Sequence, residues 1–205
     1  MAAAAPEPLA STASSDAWFV YLFALSDCSS FKVGFTYHPL QRISTFSRRY
    51  YERFDLSQSL LLQLETCDDA RALEAAIKTE LAEFRGVAPE WIPPEAGGQT
   101  EWFSAVYFSQ AESRLRTAAF DAAHVQLARD YLGRELDAMR LSFEVWAWTQ
   151  AQQTRELRAA ALRGYRVQDA GRSLRDWLDA YAYFDLSLFV DDPAVRSFVQ
   201  ESARR

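Results

Sequence analysis

The chain has 205 residues, of which 49% are hydrophobic and 24% are charged, as in ordinary soluble globular proteins. Its net charge of −6 excludes a general electrostatic attraction to nucleic acid, so binding of that kind requires local basic patches. Two cysteines and two histidines give neither a disulfide framework nor a typical zinc site, and they make a reducing cytoplasm the expected compartment.

The N-terminal residues 1–16 are rich in alanine and serine, a composition that predicts a disordered leader. They hold no lysine or arginine ahead of their apolar part, so they lack the positively charged start of a signal peptide. The apolar run that follows, residues 17–25, is far too short to span a bilayer. We therefore expect no membrane association.

The first predicted structured segment is a β-hairpin followed by a helix. Residues 19–23 and 31–35 are rich in the aromatic and β-branched side chains that strands prefer, and residues 26–30 between them have turn chemistry. Pro39 suits the first turn of a helix, because its missing N–H costs nothing there. This helix is predicted to run to about residue 51.

The next segments complete a small α+β domain. Residues 58–65 predict a third strand, and Thr66 predicts the start of a helix that runs to about residue 84. Residues 86–99 hold prolines and glycines and predict a loop, after which residues 100–108 predict a short final strand. The order β-β-α-β-α-β fits a small antiparallel sheet with flanking helices.

The remainder of the chain, residues 109–205, has a helical pattern and predicts a second domain or an arm. Helices are predicted over residues 111–132, 134–162 and 173–184, and a terminal helix is predicted to begin at Pro193. A bend near Gly133 separates the first two helices, and a break over residues 164–171 separates the second from the third. The predicted organisation is thus a leader (1–16), an α+β domain (17–108) and a helical domain (109–205).

Several short motifs occur in a fixed order along the α+β domain. They are Val20-Tyr21, Lys32-Val33-Gly34, the series Thr36, Pro39 and Arg42, then Ala72-Leu73-Glu74, and finally Glu101-Trp102-Phe103. This series resembles the GIY-YIG endonuclease superfamily, and most closely a compact branch, common in phages and bacteria, that carries Lys-Ile-Gly in its second motif. The resemblance covers about residues 17–108 and implies a GIY-YIG-like fold.

The resemblance also implies a function, that of a metal-dependent DNA endonuclease that hydrolyses phosphodiester bonds. It implies catalytic roles for Tyr21, Lys32 and Arg42, and it implies that Glu74 holds one Mg²⁺ or Mn²⁺. A guanidinium group suits phosphate oxygens, and one carboxylate with waters is how Mg²⁺ is often held. A phenol is a poor base at neutral pH, so we expect the cations Lys32 and Arg42 to favour the Tyr21 phenolate.

Other residues are expected to assist. Arg48, Arg49 and Arg53 are candidates for steering the DNA backbone, and Gly34, Thr36 and Glu101 are candidates for supporting the site. Each candidate also has an ordinary structural interpretation. Tyr21 suits a sheet core, Arg42 a solvated helix face, and Glu74 the exposed side of an amphipathic helix.

Four positions depart from the pattern of the superfamily. Phe19 replaces the first glycine, Lys32 replaces the second tyrosine, Phe46 stands where many relatives carry Tyr or His, and Lys78 stands where the branch often carries His. Whether the chain is an enzyme therefore stays open. One alternative is a catalytically silent module that binds nucleic acid or protein, and another is a scaffold in which residues 109–205 bind a protein partner or self-associate.

Overall fold

The computed structural model of the protein describes residues 17–119, 124–159, 165–188 and 193, with the side chains of 153–159 and 165–171 excepted. The predictions for the leader and for the segment after Pro193 lie outside these ranges. The chain divides into two compact units, one ending at Leu132 and one beginning at Gly133. Within the described ranges, no helix is both long and apolar enough to cross a membrane.

The first unit is built on a five-stranded antiparallel sheet, which confirms the α+β class. Its strands are β1 (Trp18–Ala24), β2 (Ser30–Thr36), β3 (Leu60–Leu64), β4 (Trp102–Ser104) and β5 (Val125–Leu127). Their order across the sheet is β4-β2-β1-β3-β5. The hairpin β1–β2 therefore lies at the centre of the sheet, where its apolar residues are covered on both faces.

Helices precede, separate and follow the later strands along the chain. They are α1 (Pro39–Phe46), α2 (Tyr50–Arg53), α3 (Cys67–Glu80), α4 (Phe108–Ala118) and α5 (Ala128–Ala138). Pro39 is the first residue of α1, and the Thr66 side chain caps α3 by accepting a hydrogen bond from Asp69 N–H at 3.1 Å. Both helix starts agree with the local sequence signals.

The two faces of the sheet differ in chemistry because side chains alternate along β1. Val20 and Leu22 point into an apolar core that α3 and α4 complete, and burial of each such side chain contributes about 1.5–3 kcal/mol. Tyr21 and Phe23 point the other way, with their rings stacked at 4.3 Å between centroids. The candidate site lies around Tyr21.

The described part of the second unit is mainly helical. The end of α5 is followed by α6 (Arg140–Ala159) and α7 (Tyr165–Tyr183), which pack against each other. Its aromatic core includes Phe143, stacked on Tyr181 at 4.5 Å, and the Tyr181 hydroxyl donates to the carbonyl oxygen of Leu136 at 2.8 Å. On α6 the apolar side chains of Leu141, Val145 and Trp148 are exposed.

A short strand interrupts the helix that the sequence predicts over residues 111–132. The helix α4 ends at Ala118, and β5 pairs with β3 through Gln126 and Leu61. The prediction of one helix here is therefore wrong. It failed because a strand of three residues is too short to show the alternation of polar and apolar residues by which strands are recognised. Since α4 and β5 both belong to the first unit, the boundary between units falls after Leu132 and not after residue 108.

Several other predicted boundaries differ. The helix predicted from Pro39 to about residue 51 is two helices, α1 and α2, and α3 ends at Glu80. The predicted break over residues 164–171 is wrong, because α7 begins at Tyr165 and continues through Gly171. Gly133 lies inside the helix α5. The Phe184 ring packs closely there, only 3.3 Å from where a Cβ would stand.

Candidate functional site

The Tyr21 side chain lies opposite Gly34 of β2, its direct partner across the hairpin. A Cβ atom at residue 34 would collide with the hydroxyl group and ring of Tyr21. Gly34 therefore supports the site as expected from its motif, and the physical reason is that only glycine leaves room for the phenol.

Arg42 of α1 lies against this phenol. Its Nε donates to Tyr21 Oη at 3.3 Å, its Nη1 donates to the carbonyl oxygen of Ala96 at 2.7 Å, and its guanidinium carbon lies 4.5 Å from the centroid of the Phe46 ring. Within the described part of the chain, Arg42 Nη2 has no hydrogen-bond partner. The guanidinium group is thus held in place with two N–H donors left for a ligand.

The Tyr21 hydroxyl is neutral at ordinary pH. Burial raises the pKa of Tyr21 to about 12, although the positive charge of Arg42 acts in the opposite direction. Our expectation that neighbouring cations favour the phenolate is therefore wrong for the free protein, because loss of solvation outweighs the field of Arg42.

Lys32 lies beneath the same surface, fully buried. Its Nζ donates to Glu101 Oε2 at 3.0 Å and to the carbonyl oxygen of Gly98 at 2.7 Å, and it lies 5.4 Å from the ring centroids of Phe46 and Trp102. Burial lowers the pKa of Lys32, and Glu101 partly restores it. With no exposed surface, Lys32 cannot touch a ligand while these contacts persist.

Glu101 joins Lys32 to a second ion pair. Lys78 Nζ lies 3.4 Å from Glu101 Oε1 and 2.9 Å from Glu74 Oε2, so the order of charges is Glu74, Lys78, Glu101, Lys32. Although burial raises the pKa of Glu101, the two lysines hold it below its usual value. Burial lowers the pKa of Lys78, but the two carboxylates raise it overall.

Glu74 is buried, with its side chain only 7% exposed, so its ordinary interpretation as an exposed helix glutamate is wrong. It faces Lys78 one turn later on α3. This helix places Glu74 at the margin of the apolar core, where Leu73 and Ile77 are packed. Glutamate side chains are rarely buried unless they are paired with a cation, so the position of Glu74 is unusual for a helix glutamate.

The loop between α3 and β4 covers the site. Its Ala96 and Gly98 carbonyl groups accept hydrogen bonds from Arg42 and Lys32, as described above. Gly97 and Gly98 have positive φ angles of 65° and 69°, which favour glycine. A Cβ at Gly98 would also lie only 2.5 Å from Lys32 Nζ, so this loop conformation requires glycine at residue 98.

The other predicted residues lie apart from these contacts. The Arg49 guanidinium pairs with Glu52 at 2.6 Å, the Arg53 guanidinium lies 5.3 Å from the Trp91 ring centroid, and Arg48 is exposed. Thr36 Oγ1 accepts a hydrogen bond from His38 N–H at 3.1 Å and so orders the turn before α1.

Sequence reasoning missed the roles of Phe46, Lys78 and the loop carbonyls. In the sequence, Phe46 and Lys78 stand out only as departures from the motif pattern. The spacing of four residues between Glu74 and Lys78 is the signal that could have indicated their ion pair. The carbonyl groups of Ala96 and Gly98 have no signal in the sequence, because every residue carries such a group.

The described residues include no cluster of three or more His, Cys, Asp or Glu side chains that could hold a metal ion. The site instead combines three cations, Lys32, Arg42 and Lys78, with two carboxylates, Glu74 and Glu101. One positive charge is therefore left in excess at neutral pH. Such a site suits an anionic ligand with oxygen acceptors.

Comparison with family models finds the T5orf172 domain at residues 18–119. Neither the curated proteins nor the solved structures give a match. T5orf172 is a distinct family, so the assignment to the GIY-YIG superfamily is wrong. The motifs that suggested it are two or three residues long, and such fragments recur in strands and helices of unrelated domains. T5orf172 domains are nuclease-like and associated with DNA.

Proposed function

We propose that the site around Tyr21 and Arg42 binds the phosphodiester backbone of DNA and hydrolyses it with the help of a divalent cation. The observation that carries this proposal is the guanidinium group of Arg42, fixed by Tyr21 and Ala96 with its Nη2 donors left for a ligand. The family match to a nuclease-like domain supports the choice of DNA as the anionic ligand.

Arg42 binds a phosphate oxygen in this proposal. A planar guanidinium makes paired hydrogen bonds to phosphate, and its fixed position lets it stabilise the additional negative charge of the transition state. Lys32 is buried, so it acts indirectly by fixing the charge and position of Glu101. Arg48, Arg49 and Arg53 are proposed to contact neighbouring phosphates along the backbone.

Glu74 is the proposed ligand for Mg²⁺ or Mn²⁺. Its carboxylate and that of Glu101 already converge on one cation, the Lys78 ammonium group, so the donor set fits a hard divalent ion that accepts one or two carboxylates. When bound, such an ion supplies Lewis acidity at the phosphate. The chain's own part is to hold two carboxylate oxygens in a sheltered position against Lys78.

Tyr21 is the proposed base, which takes a proton from the attacking water at Oη. Because the pKa of Tyr21 is about 12 in the free protein, only a small fraction of the molecules carries the phenolate at pH 8. A catalyst with this base is slow at neutral pH and accelerates in alkali.

A second candidate function is a catalytically silent module that binds nucleic acid through the same surface. The neutral, buried Tyr21 and the ion pair between Lys78 and Glu74 favour it. The helical unit adds a candidate protein-binding or self-association surface on α6, where Leu141, Val145 and Trp148 recur at helical spacing and are exposed.

A plasmid-nicking assay separates cleavage from silent binding. We expect the wild-type chain to nick supercoiled DNA with Mg²⁺ or Mn²⁺ and to stop when EDTA is added. Glu74→Gln should lower the rate at least about 10²-fold, because it removes a charged ligand of the cation. The matched control is Glu112→Gln, which alters another glutamate paired with a cation one turn later on a helix, at a partly exposed position.

Equal nicking by the wild type and Glu74→Gln would rule out the proposed cation site. A wild-type chain that shifts DNA in a gel but never cuts it, with either metal, would favour the silent module. Loss of nicking in Glu112→Gln as well would indicate general damage to the fold, which circular dichroism would detect.

The pH profile tests Tyr21. We expect the cleavage rate to rise about tenfold per pH unit above pH 7 without levelling off before pH 10, because the phenolate population keeps increasing up to the raised pKa. Tyr21→Phe keeps the ring and removes only the hydroxyl, so its residual rate should lose this slope. A Tyr21→Phe variant with the same rate and the same slope as the wild type would show that Tyr21 is not the base.

A further inference from the structure

Two lysines share the Glu101 carboxylate, and they differ sharply in how they are held. Lys32 has no exposed surface, donates to the Gly98 carbonyl at 2.7 Å and lies beside two aromatic rings. The Lys78 side chain is 24% exposed, and its contacts in the described part of the chain are to Glu74 and Glu101. Lys32 is therefore a fixed cation, whereas Lys78 can leave by rotating toward solvent.

We propose that Lys78 is the resident cation of the carboxylate pair Glu74/Glu101, and that it excludes divalent metal ions from Glu74 until it is displaced. This inference rests on the proposed function in one respect, the role of Glu74 as the metal ligand. It adds a residue to the site and assigns that residue a definite task, the control of metal binding.

Electrostatic repulsion accounts for this exclusion. Two carboxylates that converge without a cation repel each other, and the Lys78 ammonium removes this repulsion in the free protein. An ammonium group and a divalent cation repel each other in turn, so they cannot both lie against the oxygens of the buried Glu74 carboxylate. Metal affinity should consequently be weak while Lys78 is in place.

Binding of DNA should weaken the exclusion of the metal ion by Lys78. A phosphate group beside Arg42 brings negative charge that attracts both Lys78 and a metal ion, and Lys78 has a long, flexible stem with which to follow the phosphate. DNA and the divalent cation should then bind cooperatively, each raising the affinity for the other by the same factor. This prevents a metal ion from occupying the site before a substrate is present.

Mn²⁺ binding to the full chain without DNA, followed by electron paramagnetic resonance of the free ion, tests the exclusion directly. We expect Lys78→Met to bind Mn²⁺ at least about tenfold more tightly than the wild type, since methionine keeps much of the stem and removes the charge. The double variant Lys78→Met/Glu74→Gln should lose this gain. Arg116→Met is the matched control, because it removes the same charge from an exposed pair with Glu112 at the same spacing, and it should bind Mn²⁺ as the wild type does.

Any of three results would overturn the inference: unchanged Mn²⁺ affinity in Lys78→Met, an equal gain in Arg116→Met, or a gain that survives Glu74→Gln. Should Lys78→Met lose its fold, as judged by circular dichroism, Lys78→Gln answers the same question. The Mn²⁺ measurement contains no DNA, so its result does not depend on cleavage. A chain that never cleaves DNA would refute the proposed function, and the Mn²⁺ affinities would still decide whether Lys78 excludes the metal ion.

Discussion

Replacing Arg42 with alanine is expected to lower the single-turnover rate of DNA cleavage by a factor of about 10²–10³, the usual effect of losing one fixed donor to a developing negative charge. The guanidinium group is held by Tyr21 and Ala96 before any ligand arrives. Little reorganisation is needed at the transition state, so most of the loss should appear in the rate of the chemical step. Quenched-flow cleavage of a labelled duplex at saturating protein measures it.

Arg42→Lys tests the geometry of the group. Lysine keeps the positive charge but cannot hold Tyr21, Ala96 and a phosphate at once, so we expect it to recover less than about a tenth of the lost rate. Arg71→Lys is the control, because Arg71 also lies beside an aromatic ring, that of Phe35, and pairs with an exposed acid, Asp68. Cleavage by Arg42→Ala at the wild-type rate would exclude Arg42 from catalysis.

The second large effect concerns stability. Glu101→Ala should lower the free energy of unfolding by about 3–5 kcal/mol, because it leaves the buried Lys32 ammonium without a charged partner. The Gly98 carbonyl remains as an acceptor but cannot replace a carboxylate. Urea denaturation at pH 7 measures this change, and Glu112→Ala, which removes an exposed partner, should stay within about 0.5 kcal/mol of the wild type.

The double variant Lys32→Met/Glu101→Ala should be more stable than Glu101→Ala alone. Methionine suits the apolar surroundings of the lysine stem, where Phe46 and Trp102 lie, and the buried charge is gone. We expect most of the loss to be recovered. The losses in the free energy of unfolding from the two substitutions could instead add, which would make the double variant the least stable. Lys32 would then stabilise the fold through packing or through its hydrogen bond to Gly98 and not through Glu101.

Local sequence signals determined the hairpin and the helix starts. Aromatic and β-branched residues on either side of a polar turn predicted β1 and β2, Pro39 predicted the first residue of α1, and Thr66 predicted the cap of α3. Each of these signals acts between residues a few positions apart, so a single sequence contains the whole interaction. Tyr21, Lys32, Arg42 and Glu74 were singled out by motif, and their roles stay predictions.

Only the tertiary structure decided how these residues meet. Lys32 finds its partners 66 and 69 residues away, at Gly98 and Glu101, and Arg42 finds the Ala96 carbonyl 54 residues away. Strand β5 exists because β3 offers an edge to pair with. The raised pKa of Tyr21 has a similar origin, since burial depends on everything packed around the phenol. Contacts of this kind depend on chain closure over long separations, and neither composition nor periodicity records them.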